Sequence, residues 1–271
     1  MRSPRSSQGA AAPRRAGATR PRLDQLLVER GLAATRARAQ ALVMAGRVFC
    51  GETRLDKPGQ RIAPDAPVEV RGHPHPWVSR GGLKLAHCLA RFGLSAEGAV
   101  ALDIGASTGG FTDVLLAAGA ARVYAVDVGR GQLAWKLRTD PRVVVLEGVN
   151  ARRLDRAHVP EPVDMVVCDA SFIGLATVLP AALALACDGA TLVALVKPQF
   201  EVGKGRVGKG GIVRDPALHE AVVARVRTWL ETEMGWRVLG VTESPVKGAD
   251  GNTEFLIAAV NGGTDADGAP R

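Results

Sequence analysis

Five residues that end apolar, strand-like runs carry groups suited to chemistry: Asp103, Asp127, Asn150 just past its run, Asp169 and Lys197. In a parallel sheet, ligands bind at the carboxyl ends of the strands, so such residues would share one edge. The segment Leu102-Asp103-Ile104-Gly105-Ala106-Ser107-Thr108-Gly109-Gly110-Phe111-Thr112, followed by Val123-Tyr124-Ala125-Val126-Asp127, reads as strand, glycine-rich turn, helix and second strand ending in an acid. That order builds a nucleoside-binding crevice. The glycines permit a tight turn, and Asp127 is placed to accept hydrogen bonds from two ribose hydroxyls. A dinucleotide site would instead read G-x-G-x-x-G, with a pyrophosphate at the helix N-terminus. Here Asp103 is expected to put a carboxylate where that pyrophosphate would sit, repelling phosphate and attracting an amine. A ligand with a ribose, a purine and a cationic group but no phosphate is implied, and S-adenosylmethionine fits. The expected cofactor contacts are Asp103, Gly105, Ala106, Ser107, Thr108, Gly109, Gly110, Phe111, Asp127, Val128 and Asp169. Asn150 is placed either to meet the adenine edge or to cap a loop.

Methyl transfer from such a donor is an in-line displacement on a sulfonium carbon. The electrophile is already activated, so catalysis must align the acceptor and handle its proton. A ribose hydroxyl is a poor nucleophile and needs a base. A lysine serves only where burial or a second cation lowers its basicity. Lys197 at a strand end and Lys84 near the start of the second domain form a candidate pair, with Asp169 and Glu254 to orient them and balance charge.

These groups need a scaffold. From Ser79 onward, apolar runs at 100–104, 122–127, 143–147, 163–168, 190–196, 237–242 and 254–260 read as strands separated mostly by helical stretches. The pattern predicts a mostly parallel α/β sheet of seven strands with helices on both faces. The last strand follows a short connection and is expected to run antiparallel to its predecessor.

Charge divides the chain. Of 271 residues, the first 78 hold 14 Lys/Arg against 6 Asp/Glu, whereas the remainder holds 21 of each. A basic module joined to a neutral catalytic one follows, with nucleic acid as the expected partner. Residues 1–21 read as a basic, disordered tail. Residues 22–72 carry a helix ending near Gly31, a second helix capped by Thr35 and stopped at Gly46, and short strands at 47–50, 61–62 and 68–70. Arg22, Arg36, Arg38, Arg47 and Lys57 are the expected RNA contacts there. Residues 73–78, with His73, Pro74, His75 and Pro76, read as a stiff linker in which Trp77 packs the domains together. The methyltransferase-type domain is expected over 79–260, with a tail at 261–271.

Other chemistries fit less well. The four cysteines are scattered without metal-type spacing and read as free thiols of a cytoplasmic protein, with no metal site expected. Cys168, the residue nearest to serve as a thiolate nucleophile for carbon methylation, lies within a strand and reads as packing. No proline-rich Asp/Asn-Pro-Pro-Tyr/Phe motif of base N-methylation follows the fourth strand. No apolar run approaches the ~20 residues that span a bilayer. Gly203 to Lys209 spells G-x-x-x-x-G-K, but Gly210 stands where Ser or Thr would hold magnesium. Lys204, Arg206 and Lys209 are therefore read as RNA contacts on a basic loop beside Lys197.

Three resemblances sharpen these expectations. Arg22-Leu23-Asp24-Gln25-Leu26-Leu27, Thr35-Arg36-Ala37-Arg38-Ala39, Gly46-Arg47-Val48 and Lys57-Pro58 resemble the S4 RNA-binding domain, in which a helix pair presents basic residues to structured RNA. Lys84 in Ser79-Arg80-Gly81-Gly82-Leu83-Lys84, Asp169 in Cys168-Asp169-Ala170-Ser171-Phe172, Lys197 in Val196-Lys197-Pro198-Gln199-Phe200 and Glu254 in Gly251-Asn252-Thr253-Glu254 are similar to the Lys-Asp-Lys-Glu tetrad of FtsJ-like ribose 2′-O-methyltransferases. That resemblance implies a Rossmann-like fold, with Lys197 as proton acceptor. Both modules together, with Asp127-Val128-Gly129-Arg130-Gly131-Gln132-Leu133 and Lys197–Gly205, resemble the TlyA family, whose members carry an old hemolysin label. The resemblance implies 2′-O-methylation of cytidine in ribosomal RNA, of the large subunit alone or of both, with ribosomal RNA or ribosomal subunits as partner; a monomer is expected. A non-catalytic RNA-binding or assembly factor is the alternative, and a membrane-active hemolysin a remote one. In one departure, His75-Pro76-Trp77-Val78 replaces an Arg-Ala-Trp-Val segment.

Overall fold

The computed structural model describes residues 20–33, 35–71, 75–203, 207–208, 210–248 and 251–262. It divides into two compact units, Met1–Pro74 and His75–Arg271.

In the first unit, α1 (Leu23–Glu29) and α2 (Arg36–Met44) pack on a three-stranded antiparallel sheet. The strands β1 (Val48–Cys50), β2 (Thr53–Arg54) and β3 (Val68–Val70) lie in the order β2-β1-β3. Leu23, Leu26 and Leu27 meet Leu42, Val43, Val48 and Val68 in a small core. Thr35 caps α2, its Oγ1 accepting from the Arg38 amide at 3.2 Å. Gly46, with φ +65°, takes the left-handed turn that follows that helix. The expected strand at 61–62 is only a single bridge between Arg61 and Arg22.

The second unit is a seven-stranded sheet with helices on both faces. Its elements are α3 (Gly81–Phe92), β4 (Val100–Ile104), α4 (Gly110–Ala117), β5 (Arg122–Asp127), α5 (Trp135–Arg138), β6 (Val143–Glu147) and β7 (Val163–Cys168). Then follow α6 (Leu175–Val178), α7 (Pro180–Leu183), β8 (Ala186–Val196), α8 (Pro198–Glu201), α9 (Pro216–Thr232), β9 (Trp236–Glu243) and β10 (Phe255–Asn261). The order is β6-β5-β4-β7-β8-β10-β9. Strands β4 to β8 pair in parallel, and β10 is antiparallel to both β8 and β9. The pairing of the last two strands is as the short connection predicts. The insertion of β10 between β8 and β9 is not readable locally. Strand β8 begins four residues before the expected start because Cys187-Asp188-Gly189 breaks the apolar run, and the ladder with β7 is irregular there.

Alternation along the strands assigns the two faces. Leu102, Ile104, Tyr124 and Val126 pack towards α6, α7 and α9. Ala101, Val123, Ala125, Met165 and Val167 pack towards α3 and α4. Asp103 falls on that second face, under the first turn of α4, and this placement governs its role in the site.

Trp77 packs within the second unit. A Cβ on Gly82 would lie 2.4 Å from its Cγ, so only glycine admits the indole at this point of α3. The adjacent Val78 amide donates to Asp113 Oδ2 at 2.8 Å. Residues 77–78, expected as the end of a stiff linker with Trp77 packing the domains together, thus pack against α3 and α4 of this unit.

Candidate active site

Two adjoining cavities open at the carboxyl ends of β4 and β7. One, of about 540 Å³, is lined by Lys84, Asp169, Lys197 and Glu254, together with Arg80, Phe111, Gln199 and others. The second, of about 490 Å³, is lined by Asp127, Val128, Val149, Asn150 and Ile173 among others. Gly105, Ser107, Asp169, Ser171 and Phe172 belong to both walls.

The four tetrad residues come from α3 and from the ends of β7, β8 and the loop before β10, and the fold brings them together. Lys84 Nζ lies 2.6 Å from Glu254 Oε2 and 3.8 Å from Asp169 Oδ2. Lys197 Nζ lies 2.6 Å from Asp169 Oδ1. It also reaches Ser171 Oγ at 2.9 Å and the Asp169 carbonyl at 3.1 Å. Lys84, Lys197 and Glu254 are buried, and Asp169 keeps 23% of its side chain exposed. Two lysines and two acidic residues therefore alternate in a chain, Glu254–Lys84–Asp169–Lys197, so that opposite charges can offset one another in a poorly hydrated place. Ser171 was not singled out by sequence because a lone serine in a loop has no pattern.

The glycine-rich turn is shaped by contact. Gly105 has φ +79°, and a Cβ there would approach Ala170 Cα to 2.9 Å, so the turn can lie this close to the end of β7 only as glycine. Ala106, Ser107, Thr108, Gly110 and Phe111 line the first cavity with it. Gly109 lines neither cavity. Its φ of +95° begins α4, and a Cβ would strike Leu137 Cδ1 at 2.2 Å, so its role is packing.

Asp103 corrects the sequence expectation. It is wholly buried and lines neither cavity. Its Oδ2 accepts from the Thr112 amide at 3.0 Å and from Thr112 Oγ1 at 2.7 Å. Its Oδ1 has no hydrogen-bond partner among the described residues. Burial pushes this carboxyl up to about 7, opposed by the Thr112 hydroxyl and reinforced by the charge of Asp169. The folded state thus favours the protonated form. Its contribution to stability is greatest below the ordinary aspartate range and declines as pH rises through about 7. Asp103→Asn, which keeps an acceptor for Thr112, is expected to flatten that decline in thermal melts between pH 5 and 8. Parallel melting profiles for the two proteins would exclude this assignment.

Asp127 does line the second cavity, but both oxygens already hold backbone: Oδ2 accepts from Ser107 N at 2.8 Å and Oδ1 from Gly129 N at 2.7 Å. Each carboxylate oxygen retains a second lone pair for a ligand hydroxyl. Asn150 Oδ1 accepts from Arg152 N at 3.1 Å and so caps a short 3-10 turn, while the residue also lines the cavity. Glu147, unremarked in the sequence, closes the neighbouring loop. The Gly131 amide and Arg138 hold its carboxyl down at about 2.

Phe172 forms the rim of both cavities. It is 89% exposed and has φ +67°, a strained backbone for an aromatic residue. Its ring lies 5.0 Å from that of Phe200. Cys168 is fully buried, and burial pushes its thiol up to about 12, which unsuits it as a thiolate nucleophile.

In the first unit, the expected RNA contacts divide. Arg22 and Arg36 both donate to the buried Asp24, at 3.1 Å and 3.0 Å, and Gln40 joins them at 2.9 Å. The Arg22 guanidinium is the leading cause that holds the Asp24 carboxyl far below the usual range. Both arginines remain partly exposed beyond that anchor. Arg38 and Lys57 are exposed, whereas half-buried Arg47 donates to the Arg71 carbonyl at 3.2 Å and braces the sheet. Lys204, Arg206 and Lys209 lie outside the described residues. Among the described residues no helix is long and apolar enough to cross a membrane.

Comparison with known proteins agrees with this geometry. The FtsJ-like methyltransferase model matches residues 77–261, and the S4 domain model matches residues 21–68. The chain is 49% identical over 241 residues to the 16S/23S rRNA (cytidine-2′-O)-methyltransferase TlyA of Mycobacterium tuberculosis, covering 89% of this chain and 90% of that one. It is 39% identical over 236 residues to Hemolysin A of Brachyspira hyodysenteriae, covering 87% and 98%. A solved hemolysin candidate from Streptococcus thermophilus superposes with a TM-score of 0.71 at 44% identity, covering 90% of this chain and 89% of that one. With a tetrad assembled at the crevice, an S4 domain ahead of it and near-full-length identity at this level, the chain belongs to the FtsJ-like methyltransferase family, in its TlyA branch.

Proposed function

We propose that this protein transfers a methyl group from S-adenosylmethionine to the 2′-hydroxyl of a cytidine in ribosomal RNA. The observation that carries the reading is the chain Glu254–Lys84–Asp169–Lys197 in the wall of a cavity that adjoins a nucleoside-shaped crevice.

The residues present suit the cofactor. The second cavity has apolar walls at Val128, Val149 and Ile173 for a purine, and Asp127 for a ribose diol. The glycine turn at Gly105 leaves room that a Cβ would fill. When bound, the cofactor supplies an electrophilic methyl group on a cationic sulfur. Asp169, shared by both cavities, marks where cofactor and acceptor sites meet.

The remaining work falls to this chain's own side chains. Lys197, fixed by Asp169 and Ser171, aligns the 2′-hydroxyl and, in its free-amine form, receives the hydroxyl proton as the oxygen takes the methyl group. Asp169, 2.6 Å from that nitrogen, stabilises the ammonium so formed. Lys84 and Glu254 hold Asp169 in place and keep the cluster electrically balanced. Burial of both lysines limits the water that would compete with the sugar oxygen. Arg22, Arg36, Arg38 and Lys57 of the S4 unit supply phosphate contacts, whose affinity should fall steeply with salt.

Mapping 2′-O-methyl groups on ribosomal RNA, incubated with labelled cofactor and with or without the protein, tests the reading. A new modified cytidine supports it. Absence of transfer to ribosomal RNA and to both ribosomal subunits would refute it and leave an RNA-binding role alone.

A further inference from the structure

Among the polar groups that line the acceptor cavity is a carboxamide that the tetrad does not use. Gln199 lines that cavity, two residues after Lys197, in the first turn of α8. Its Oε1 is buried without a hydrogen-bond partner among the described residues. Among the described residues, the buried polar side chains of this wall are paired: Lys84 with Glu254, Lys197 with Asp169 and Ser171, and Asn252 with the Val213 amide. An unsatisfied buried amide is costly, and folded proteins rarely keep one without a use.

Its position restricts the use. Lys197 precedes Pro198, whose ring fixes the backbone φ at the start of α8, so the amide and the proton-accepting amine are held in a set relation. A side chain so placed meets the part of the acceptor nucleotide that lies beyond its sugar, which is the base. A carboxamide offers an acceptor beside a donor. The 4-amino group and N3 of a pyrimidine offer the complementary donor and acceptor on one edge. The terminal torsion of glutamine is soft, so presenting the oxygen to the cavity costs little.

We propose that Gln199 reads the target base, with Oε1 accepting from the exocyclic 4-amino group of the cytosine and Nε2 donating to its N3. This rests on the ribose-methylation reading above and adds a specificity-determining contact to it. Gln199 takes no part in proton transfer.

The test is a double cycle on kcat/KM with the full-length protein. RNA carrying cytidine at the target position is compared with RNA carrying pyrimidin-2-one ribonucleoside, which lacks only the 4-amino group. Both are assayed with wild type and with Gln199→Met, which keeps length and volume but removes the hydrogen bonds. Cofactor affinity and melting temperature, measured alongside, should stay near wild type. For wild type, loss of the amino group is expected to lower kcat/KM about 5- to 150-fold, the range for one good base-edge pairing. For Gln199→Met the two RNAs should differ by less than about threefold, because the partner is already gone. If Gln199→Met still discriminates between the RNAs as wild type does, base reading by Gln199 is overturned. It is overturned as well if wild type fails to distinguish them. No transfer by wild type to the cytidine RNA would instead overturn the methylation reading, and this proposal with it.

Discussion

Lys197→Ala is expected to lower methyl transfer about 10²- to 10⁴-fold, with the loss in kcat rather than in binding. The cause is local. Lys197 is a buried lysine in the wall of the first cavity, and its Nζ contacts Asp169 Oδ1, the Asp169 carbonyl and Ser171 Oγ, from two residues that line both cavities. Removing it leaves the aligned sugar oxygen without a proton acceptor. The S4 unit and the crevice walls around Asp127 are untouched, so affinity for RNA and for cofactor should remain within a few-fold of wild type. Single-turnover kinetics with labelled cofactor, paired with titrations of RNA and cofactor, separate these terms. Retention of a tenth of wild-type turnover would remove Lys197 from the proton-accepting role and point to a water-mediated path.

The second large effect concerns stability. Lys84 and Glu254 form a buried pair at 2.6 Å, with side-chain exposures of 7% and 3%. Breaking such a pair by removing one partner costs about 3–5 kcal/mol, because an uncompensated charge stays buried. In a domain of this size that is a fall in melting temperature of roughly 6–20 °C. The two single variants should differ. After Glu254→Leu, Lys84 still has Asp169 at 3.8 Å. After Lys84→Met, Glu254 has lost the lysine that pairs with it, so this variant should be the less stable. The double variant Lys84→Met/Glu254→Leu removes both charges and should recover most of the loss while remaining catalytically impaired. Calorimetric melts of the three proteins check the order. Equal losses for both single variants, or a double variant that melts at the sum of the two, would show that the charges do not act as a pair.

The pair Lys84–Glu254 is buried, as is Lys197, whereas Asp169 is partly open and lines both cavities.

Much of this was legible in the chain itself. Apolar alternation and turn residues marked all seven strands of the second unit, because a strand's period and its bounding glycines are local properties. The rule that ligands gather at the carboxyl ends of parallel strands singled out Asp127, Asp169 and Lys197 from sequence position alone. The charge asymmetry separated a basic first unit from a neutral second one. Thr35 and Gly46 bounded α2 by chemistry that depends on one turn only.

Tertiary structure decided what depends on partners distant in sequence. Asp103 ends a strand as Asp169 does, yet α4 closes over it and Thr112 takes its carboxylate inside, so strand position alone could not tell a cavity wall from a buried cap. Arg22 and Arg36 are basic in sequence, but the fold commits part of each to Asp24. The seating of β10 between β8 and β9, the grip of Ser171 on Lys197 and the unpaired amide of Gln199 leave no periodic trace. Backbone pattern is set by neighbours a few residues away, whereas the direction, pairing and burial of one polar side chain are set by whichever elements pack against it.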